Sequence, residues 1–374
     1  MLKKVIIKNF GPVKKEVILS MEKGKTEQYS ENIIEGTGLL KSIYIYGANN
    51  SGKSKVVESL KLLKEIVLEG KEVFARAYTP YLFSDEINDI VHLDYYFLVD
   101  NIEYRYLINL DLYNKTVLKE ELFINNEHFF SRYENIVNLN EHKIEEDIFY
   151  LTYYYSQIGN SEEIVKFVDY IKGIIFLDQQ RESHLNIRRS SNSIKKISYL
   201  EKNLDELNIL VKKFGFDFEL IVLENPILGE KTKYIGAKRG ERQLGLATLE
   251  SFGTNMFIDL LLEIEQVKTS SQLIIIDEIE RGIHFALVAG FINYINTKYP
   301  KKQLILPTHM TDLLESDLKI RKDQIYISTI TEEDGLKLER KFNKRVIRET
   351  MNFQKILKSK SVGGIPEILV SEVE

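Results

Sequence analysis

The segment Gly47-Ala48-Asn49-Asn50-Ser51-Gly52-Lys53-Ser54 sets two glycines with four residues between them and closes on Lys-Ser. Glycines let a backbone wrap closely round a phosphate, so that successive N–H groups and a helix N-terminus supply a positive field. In this pattern Lys53 reaches the β- and γ-phosphates of a nucleotide and the Ser54 hydroxyl ligates Mg²⁺. A second cluster, Leu273-Ile274-Ile275-Ile276-Asp277-Glu278, is an apolar run ending in two acids. It can deliver Asp277 to the same Mg²⁺ and place Glu278 where a carboxylate polarises an attacking water. His309 follows Gln303-Leu304-Ile305-Leu306 through Pro307-Thr308, at the edge where a γ-phosphate would lie. A lone histidine is usually structural. The order of loop, acid pair and histidine is what makes His309 a catalytic candidate beside Glu278 and Lys53. Gly47, Asn49, Asn50, Ser51, Gly52, Lys53, Ser54 and Lys55 are the expected nucleotide contacts, with Ser54 and Asp277 at the metal.

These groups need elements to hold them. Ser42-Ile43-Tyr44-Ile45-Tyr46 reads as a short strand running into the glycine loop, and apolar residues recur at helical spacing after it (Val56, Leu60, Leu63, Ile66, Val67). Leu2 to Phe10 reads as a strand punctuated by Gly11-Pro12, with Glu16 to Leu19 returning beside it. Val91 to Val99 and Tyr104 to Leu110, joined at Asp100-Asn101, read as a hairpin, and Val117 to Asn125 as a further strand. From about Asn126 to Leu223 the pattern turns mostly helical and charged, with helices expected at Ser161–Ile174 and Ile197–Phe214 and a linker at Ser190-Ser191-Asn192-Ser193. Helical periodicity resumes from Thr254 to Val267. A strand over Gln272–Ile276, a helix over Phe285–Thr297 and a strand over Gln303–Leu306 follow. Such alternation implies an α/β fold whose core sheet is mixed and largely parallel, covered by helices, with an antiparallel β subdomain and a helical insertion.

Bulk composition sets limits on the rest. The 374 residues are 44% apolar, enough for a full core. No apolar run approaches a bilayer span and the N-terminus lacks a signal-peptide pattern, so a cytoplasmic protein without a membrane partner is expected. The absence of cysteine excludes disulfides, thiolate zinc sites and cysteine nucleophiles. The net charge of −5 argues against a whole-surface nucleic-acid binder. Nine basic residues nevertheless fall between Lys337 and Lys360, among them Arg340, Lys341, Lys344 and Arg345, against Glu339 and Glu349. Further basic stretches run from Arg181 to Lys196 and from Lys231 to Arg242. Each reads either as a solvated face or as a phosphate-backbone contact.

Four segments together resemble the ABC-type ATPase heads related to SMC, RecF and overcoming-lysogenization-defect proteins, and in particular the stand-alone ATPases of bacterial abortive infection and restriction-linked phage defence. They are Ile7-Lys8-Asn9-Phe10-Gly11-Pro12; the loop Gly47–Ser54; Leu249-Glu250-Ser251-Phe252-Gly253-Thr254, similar to a Ser-x-Gly-Thr signature; and Asp277-Glu278 with His284 and then Thr308-His309. The ending Ser361-Val362-Gly363-Gly364-Ile365-Pro366 is similar to the tail of the defence subgroup. The resemblance implies that two heads sandwich two ATPs. Ser251 and Gly253 would then touch the γ-phosphate bound by the other subunit's loop, and the homodimer would complete the site. By the residues alone, Ser251 and Gly253 precede a helix and could equally be an ordinary cap.

Two departures stand out. ABC transporters carry a glutamine after the first helix, whereas Lys55 to Asp100 holds none, and Pro307 interrupts the approach to His309. Four regions follow: an N-terminal ATPase lobe over 1–125, a mostly helical insertion over 126–245, a C-terminal ATPase lobe over 246–336 and a basic tail over 337–374. The resemblance implies an ATP- and Mg²⁺-dependent regulatory ATPase that gates a separate effector, a nuclease being the expected kind, in antiphage defence. The alternative is a RecF- or SMC-like DNA-binding ATPase. A transporter subunit is disfavoured, because about 220 residues separate Ser54 from Leu273 and no membrane segment accompanies them. A built-in nuclease is disfavoured because no second acid cluster follows His309, and Glu332-Glu333-Asp334 reads as a charged turn. Tyr153-Tyr154-Tyr155 is expected to pack against helices rather than stack on bases.

Overall fold

The computed structural model describes residues 1–81, 90–139, 142–158, 161–178, 191–227, 230–266, 273–344 and 354–355. Strands β1 (Leu2–Lys8) and β2 (Val17–Ser20) pair antiparallel, and β3 (Ile33–Ile34) and β4 (Leu39–Leu40) form a small ribbon ahead of β5 (Ser42–Tyr46). Helix α1 (Lys53–Glu69) follows the glycine loop. Strands β6 (Ile90–Val99), β7 (Ile102–Asp111), β8 (Thr116–Ile124), β9 (Glu127–Tyr133), β10 (Ile136–Val137) and β11 (His142–Lys143) then run as a meander. With β1 and β2 they make an eight-stranded sheet in the order β11-β10-β9-β8-β7-β6-β1-β2, antiparallel throughout. Its tight turns follow from their residues. Asp100 and Asn101 both take positive φ (+49° and +66°), as do Asn125 and Asn126 (+50° and +65°). Two adjacent left-handed residues make the turn whose twist matches a hairpin, and Asn and Asp tolerate that region best.

Helix α2 (Glu162–Lys172) leads into β12 (Ile175–Asp178), and α3 (Ser191–Lys202) and α4 (Leu204–Lys213) precede a three-stranded antiparallel sheet of β13 (Glu219–Ile227), β14 (Glu230–Arg239) and β15 (Arg242–Gly245). Helix α5 (Phe252–Gln266), strand β16 (Leu273–Asp277), helix α6 (Phe285–Lys298) and strands β17 (Gln303–Thr308), β18 (Ile325–Thr331) and β19 (Gly335–Glu339) complete the fold. The core sheet has the order β12-β16-β17-β5-β18-β19, parallel except for the edge strand β19.

The parallel strands read as unbroken apolar runs because both of their faces are covered. Ile43, Ile45, Ile275 and Ile305 point into a core shared with α1, α2 and the antiparallel sheet. Their neighbours Tyr44, Tyr46, Ile274, Ile276, Leu304 and Leu306 point into a second core with α3 to α6. One sheet therefore anchors two cores, and its strand ends are held from both sides.

Three expectations change. The segment 126–245 is not mostly helical: β9 to β15 all fall in it, and their β-branched and aromatic runs are masked in the sequence by interspersed charge. Ser191, Asn192 and Ser193 open helix α3 instead of forming a linker, Ser190 lying outside the described residues. The single helix expected over 197–214 is two, divided at Asn203, whose side chain and N–H both turn back to Tyr199 O. Tyr153, Tyr154 and Tyr155 pack against the first core as expected.

Candidate functional site

The glycine loop sits at the C-terminal end of β5 and runs into α1, the sheet edge where open α/β folds take ligands. Asn50 (φ +61°) and Gly52 (φ +83°) both adopt left-handed backbone, the kind of alternation from which anion-binding loops are built. Gly52 is needed twice over. Besides its φ, a Cβ there would overlap the Leu336 side chain and crowd Pro12, so this glycine is the floor on which β19 and the N-terminal turn pack. That contact accounts for Gly11-Pro12: Leu336 N–H donates to Pro12 O at 2.7 Å, and Gly11 N–H to Thr79 O at 2.8 Å. A Cβ on Gly47 would overlap Ser51 Oγ and Ser328 O, and Ser328 Oγ holds the loop by donating to Ser51 O at 2.6 Å. Asn49 and Asn50 are exposed at the loop's crest, Ser54 is half-buried, and Lys55 pairs with Glu58 at 2.7 Å.

Strand order brings the other groups to this loop. Strand β17 lies between β16 and β5, so its end sets His309 between the acid pair and the glycine loop. Lys53 Nζ donates to Gly47 O (2.9 Å) and Ala48 O (3.0 Å) and lies 2.9 Å from His309 Nε2. Asp277 ends β16. Glu278 follows in left-handed backbone (φ +54°), its N–H donating to Pro307 O at 3.3 Å. Pro307 therefore does not interrupt the approach to His309. Strand β17 stays paired with β5 through Pro307↔Ile45 and Thr308↔Tyr46, and the missing N–H falls just past the end of its ladder with β16.

Burial lowers the Lys53 ammonium from its ordinary 10.5 to about 8, against the opposing pull of Asp277, Glu280 and Glu278. His309 is also held below the ordinary histidine value, first by burial and then by the Lys53 charge. At neutral pH the pair is a charged donor on a neutral acceptor, with Nδ1 carrying the ring proton. An anion docking on Lys53 raises its pKa again, so binding above about pH 8 takes up a proton. Affinity for a phosphate ligand should hold level up to that pH and fall as pH rises further. Calorimetry in buffers of differing ionisation enthalpy reads the uptake, and a flat affinity with no uptake through this window contradicts the assignment.

Ser251 and Gly253 stand elsewhere in the chain. Helix α5 begins at Phe252, two residues earlier than expected, so Ser251 is its cap and Gly253 lies in its first turn. Ser251 Oγ accepts from Thr254 N–H at 3.2 Å and lies 3.0 Å from Thr254 Oγ1, and both Ser251 and Phe252 are exposed. A Cβ on Gly253 would overlap Gly282 O, so α5 starts in direct backbone contact with the turn after Glu278. Among the described residues no hydrogen bond joins Ser251 or Gly253 to the glycine loop. His284 caps α6, its Nδ1 accepting from Ala286 N–H at 3.3 Å.

Several side chains of the basic stretches are engaged by acids or carbonyls. Lys196 pairs with Glu263 (2.5 Å), Lys233 with Glu201 (2.5 Å), Arg239 with Asp217 (2.6 Å) and Glu250 (3.0 Å), and Lys337 with Asp334. Arg340 donates to Glu22 O at 2.9 Å and to Ser20 O. The tail residues 345–353 and 356–374, including 361–366, lie outside the described residues, as do 82–89 within the span that lacks glutamine. Two site residues escaped the sequence reading, Ser328 and Glu280. Ser328 carries no motif signal, whereas Glu280 could have been found as the third acid after the apolar strand.

No curated protein matches the chain. Among solved structures, one of an Smc head bound to the C-terminal winged-helix domain of ScpA is similar at 14% identity, covering 96% of this chain and 99% of that one with a TM-score of 0.55. The Pyrococcus furiosus Smc head with an extended coiled coil, bound to the C-terminal domain of ScpA, is similar at 13% identity, covering 96% and 98% with a TM-score of 0.51. The chain shares the α/β fold of these Smc heads. Among the described residues no helix is long and apolar enough to cross a membrane. Residues 43–315, which span the glycine loop, the acid pair and His309, match the family described as "AAA domain, putative AbiEii toxin, Type IV TA system", and the chain belongs to that family.

Proposed function

We propose that the chain binds ATP with Mg²⁺ at the Gly47–Ser54 loop and hydrolyses it in a pair of heads, and that this cycle gates a separate effector. The observation that carries the reading is the position of Lys53, whose ammonium bridges the loop carbonyls and His309 one strand away from Asp277-Glu278. The residues also fit the ligand. Ser51 Oγ is buried without a hydrogen-bond partner among the described residues, and the loop packs too tightly at Gly47 and Gly52 for any side chain. Ser54 and Asp277 would hold Mg²⁺, which when bound neutralises phosphate charge, and phosphates and waters supply its remaining ligands. The loop N–H groups and Lys53 orient the phosphates, Glu278 holds the attacking water, and neutral His309 donates its ring N–H at the γ-phosphate edge.

The exposed cap at Ser251 supports pairing of two heads, since it is a helix N-terminus that makes no hydrogen bond to its own glycine loop among the described residues. The family's description, which names a putative AbiEii toxin, supports a place in abortive-infection defence. A nuclease as the effector is implied by the sequence resemblance alone. A RecF-like DNA-binding role has less support, because Lys196, Lys233, Arg239 and Arg340 of the basic stretches are bound to acids or carbonyls. Light scattering tests the pairing: addition of ATP-Mg²⁺ should double the mass of the hydrolysis-deficient Glu278→Gln protein and leave Lys53→Ala unchanged. A nucleotide-independent mass in both removes the sandwich.

A further inference from the structure

Glu280 lies in the turn after β16, and both of its carboxylate oxygens face the end of β17. Oε2 accepts from Thr308 Oγ1 at 2.8 Å, and Oε1 accepts from His309 N–H. Thr308 Oγ1 in turn accepts from Met310 N–H at 3.0 Å, so three successive residues hang on one carboxylate. The turn that carries Glu280 is itself fixed. Arg281 N–H donates to Glu278 O at 3.0 Å, Ile283 N–H to Glu280 O at 3.2 Å, and Gly282 abuts Gly253 at the start of α5. Thr308 is fully buried, which leaves its hydroxyl no water to exchange for Glu280. With the backbone fixed, only the two side-chain torsions of His309 remain, and the 2.9 Å contact of its Nε2 with Lys53 Nζ selects among them.

We propose that Glu280 is a positioning residue for His309: by clamping Thr308 and the His309 N–H it sets the imidazole against Lys53 Nζ, and through Gly282 it ties that setting to the helix start at Ser251. Glu280 touches no reacting atom in this scheme. The inference rests on the hydrolysis reading above, with His309 at the γ-phosphate.

The test is a double-mutant cycle in the full chain, read by phosphate release at saturating ATP-Mg²⁺, by calorimetric nucleotide affinity and by amide hydrogen exchange without nucleotide. Glu280→Ala should lower kcat on the order of 10²-fold through misplacement alone, with affinity changed less than about twofold. Glu280→Gln should recover part of that loss, since its amide oxygen can still accept from His309 N–H, whereas its NH₂ cannot accept from the Thr308 hydroxyl. Adding Glu280→Ala to His309→Ala should cost little beyond His309→Ala alone, because residues acting as a unit are not additive. Exchange at the His309 amide should quicken in Glu280→Ala whether or not the protein hydrolyses ATP, so this arm survives failure of the hydrolysis reading. Full additivity with His309→Ala overturns the proposal, as does Gln as inactive as Ala. Unchanged exchange at His309, or faster exchange with unchanged kcat, overturns it too.

Discussion

Lys53→Ala is expected to abolish measurable ATP-Mg²⁺ binding. The Lys53 ammonium is the charged group of the loop, held by Gly47 O and Ala48 O at the C-terminal edge of the sheet. Its hydrogen bonds to an anionic ligand are each worth about 1.5 to 3 kcal/mol, so their removal lowers affinity by roughly 10²-fold or more. The same substitution should not unfold the chain. A cation whose folded pKa, about 8, lies below its ordinary 10.5 binds fewer protons folded than unfolded between those values. It therefore opposes folding at neutral pH, and that penalty fades as pH rises through this window. Lys53→Ala should accordingly melt at the wild-type temperature or above at pH 7. Affinity lost together with a large fall in Tm would mean that the lysine is structural; retained affinity would remove the site.

Glu278→Gln should leave binding intact and slow hydrolysis by about 10²-fold or more, the usual contribution of a positioned base. Two features single this carboxylate out from its neighbours. It directly follows Asp277 at the end of β16, and it occupies left-handed backbone, a conformation that costs a non-glycine residue of order 1 kcal/mol and persists where surrounding structure imposes it. Its N–H bond to Pro307 O is part of that imposition. Glutamine meets the same backbone cost, so the change isolates the charge and proton affinity of the side chain. Phosphate release at the wild-type rate would transfer the role of base to another group.

How far the site could be read from the sequence depends on whether its determinants are local. The strand, loop and helix around Lys53 were legible because glycine spacing and a switch from a continuous apolar run to helical spacing are local signals. Observed bounds of Ser42–Tyr46 and Lys53–Glu69 agree with them. Strand β16 and helix α6 were legible for the same reason. Pro307 misled, since a proline inside a strand normally breaks a ladder, and only the neighbouring strand's length shows that no bond is lost there. Strands β13 to β15 were hidden because Lys231, Lys233, Lys238 and Arg239 give the segment a charged look, although Tyr234-Ile235 and the turn at Gly240 (φ +61°) are strand and hairpin signals. The clamp at Glu280 and the packing of Leu336 on Gly52 join residues far apart in sequence, and no local pattern carries such contacts.

The most direct test of a two-headed ATPase is the hydrolysis rate of Ser251→Arg at saturating ATP-Mg²⁺. Ser251 is exposed at the start of α5 and makes no hydrogen bond to the loop of its own chain among the described residues, so a bulky cation there leaves the Lys53 site intact. Loss of the cap costs about 1 kcal/mol, too little to unfold a domain of this size. The account predicts wild-type nucleotide affinity with hydrolysis reduced to background, because the arginine blocks closure of one head on the other. A Ser251→Arg protein that binds and hydrolyses ATP at the full wild-type rate contradicts it, and would mean that each chain completes its site alone.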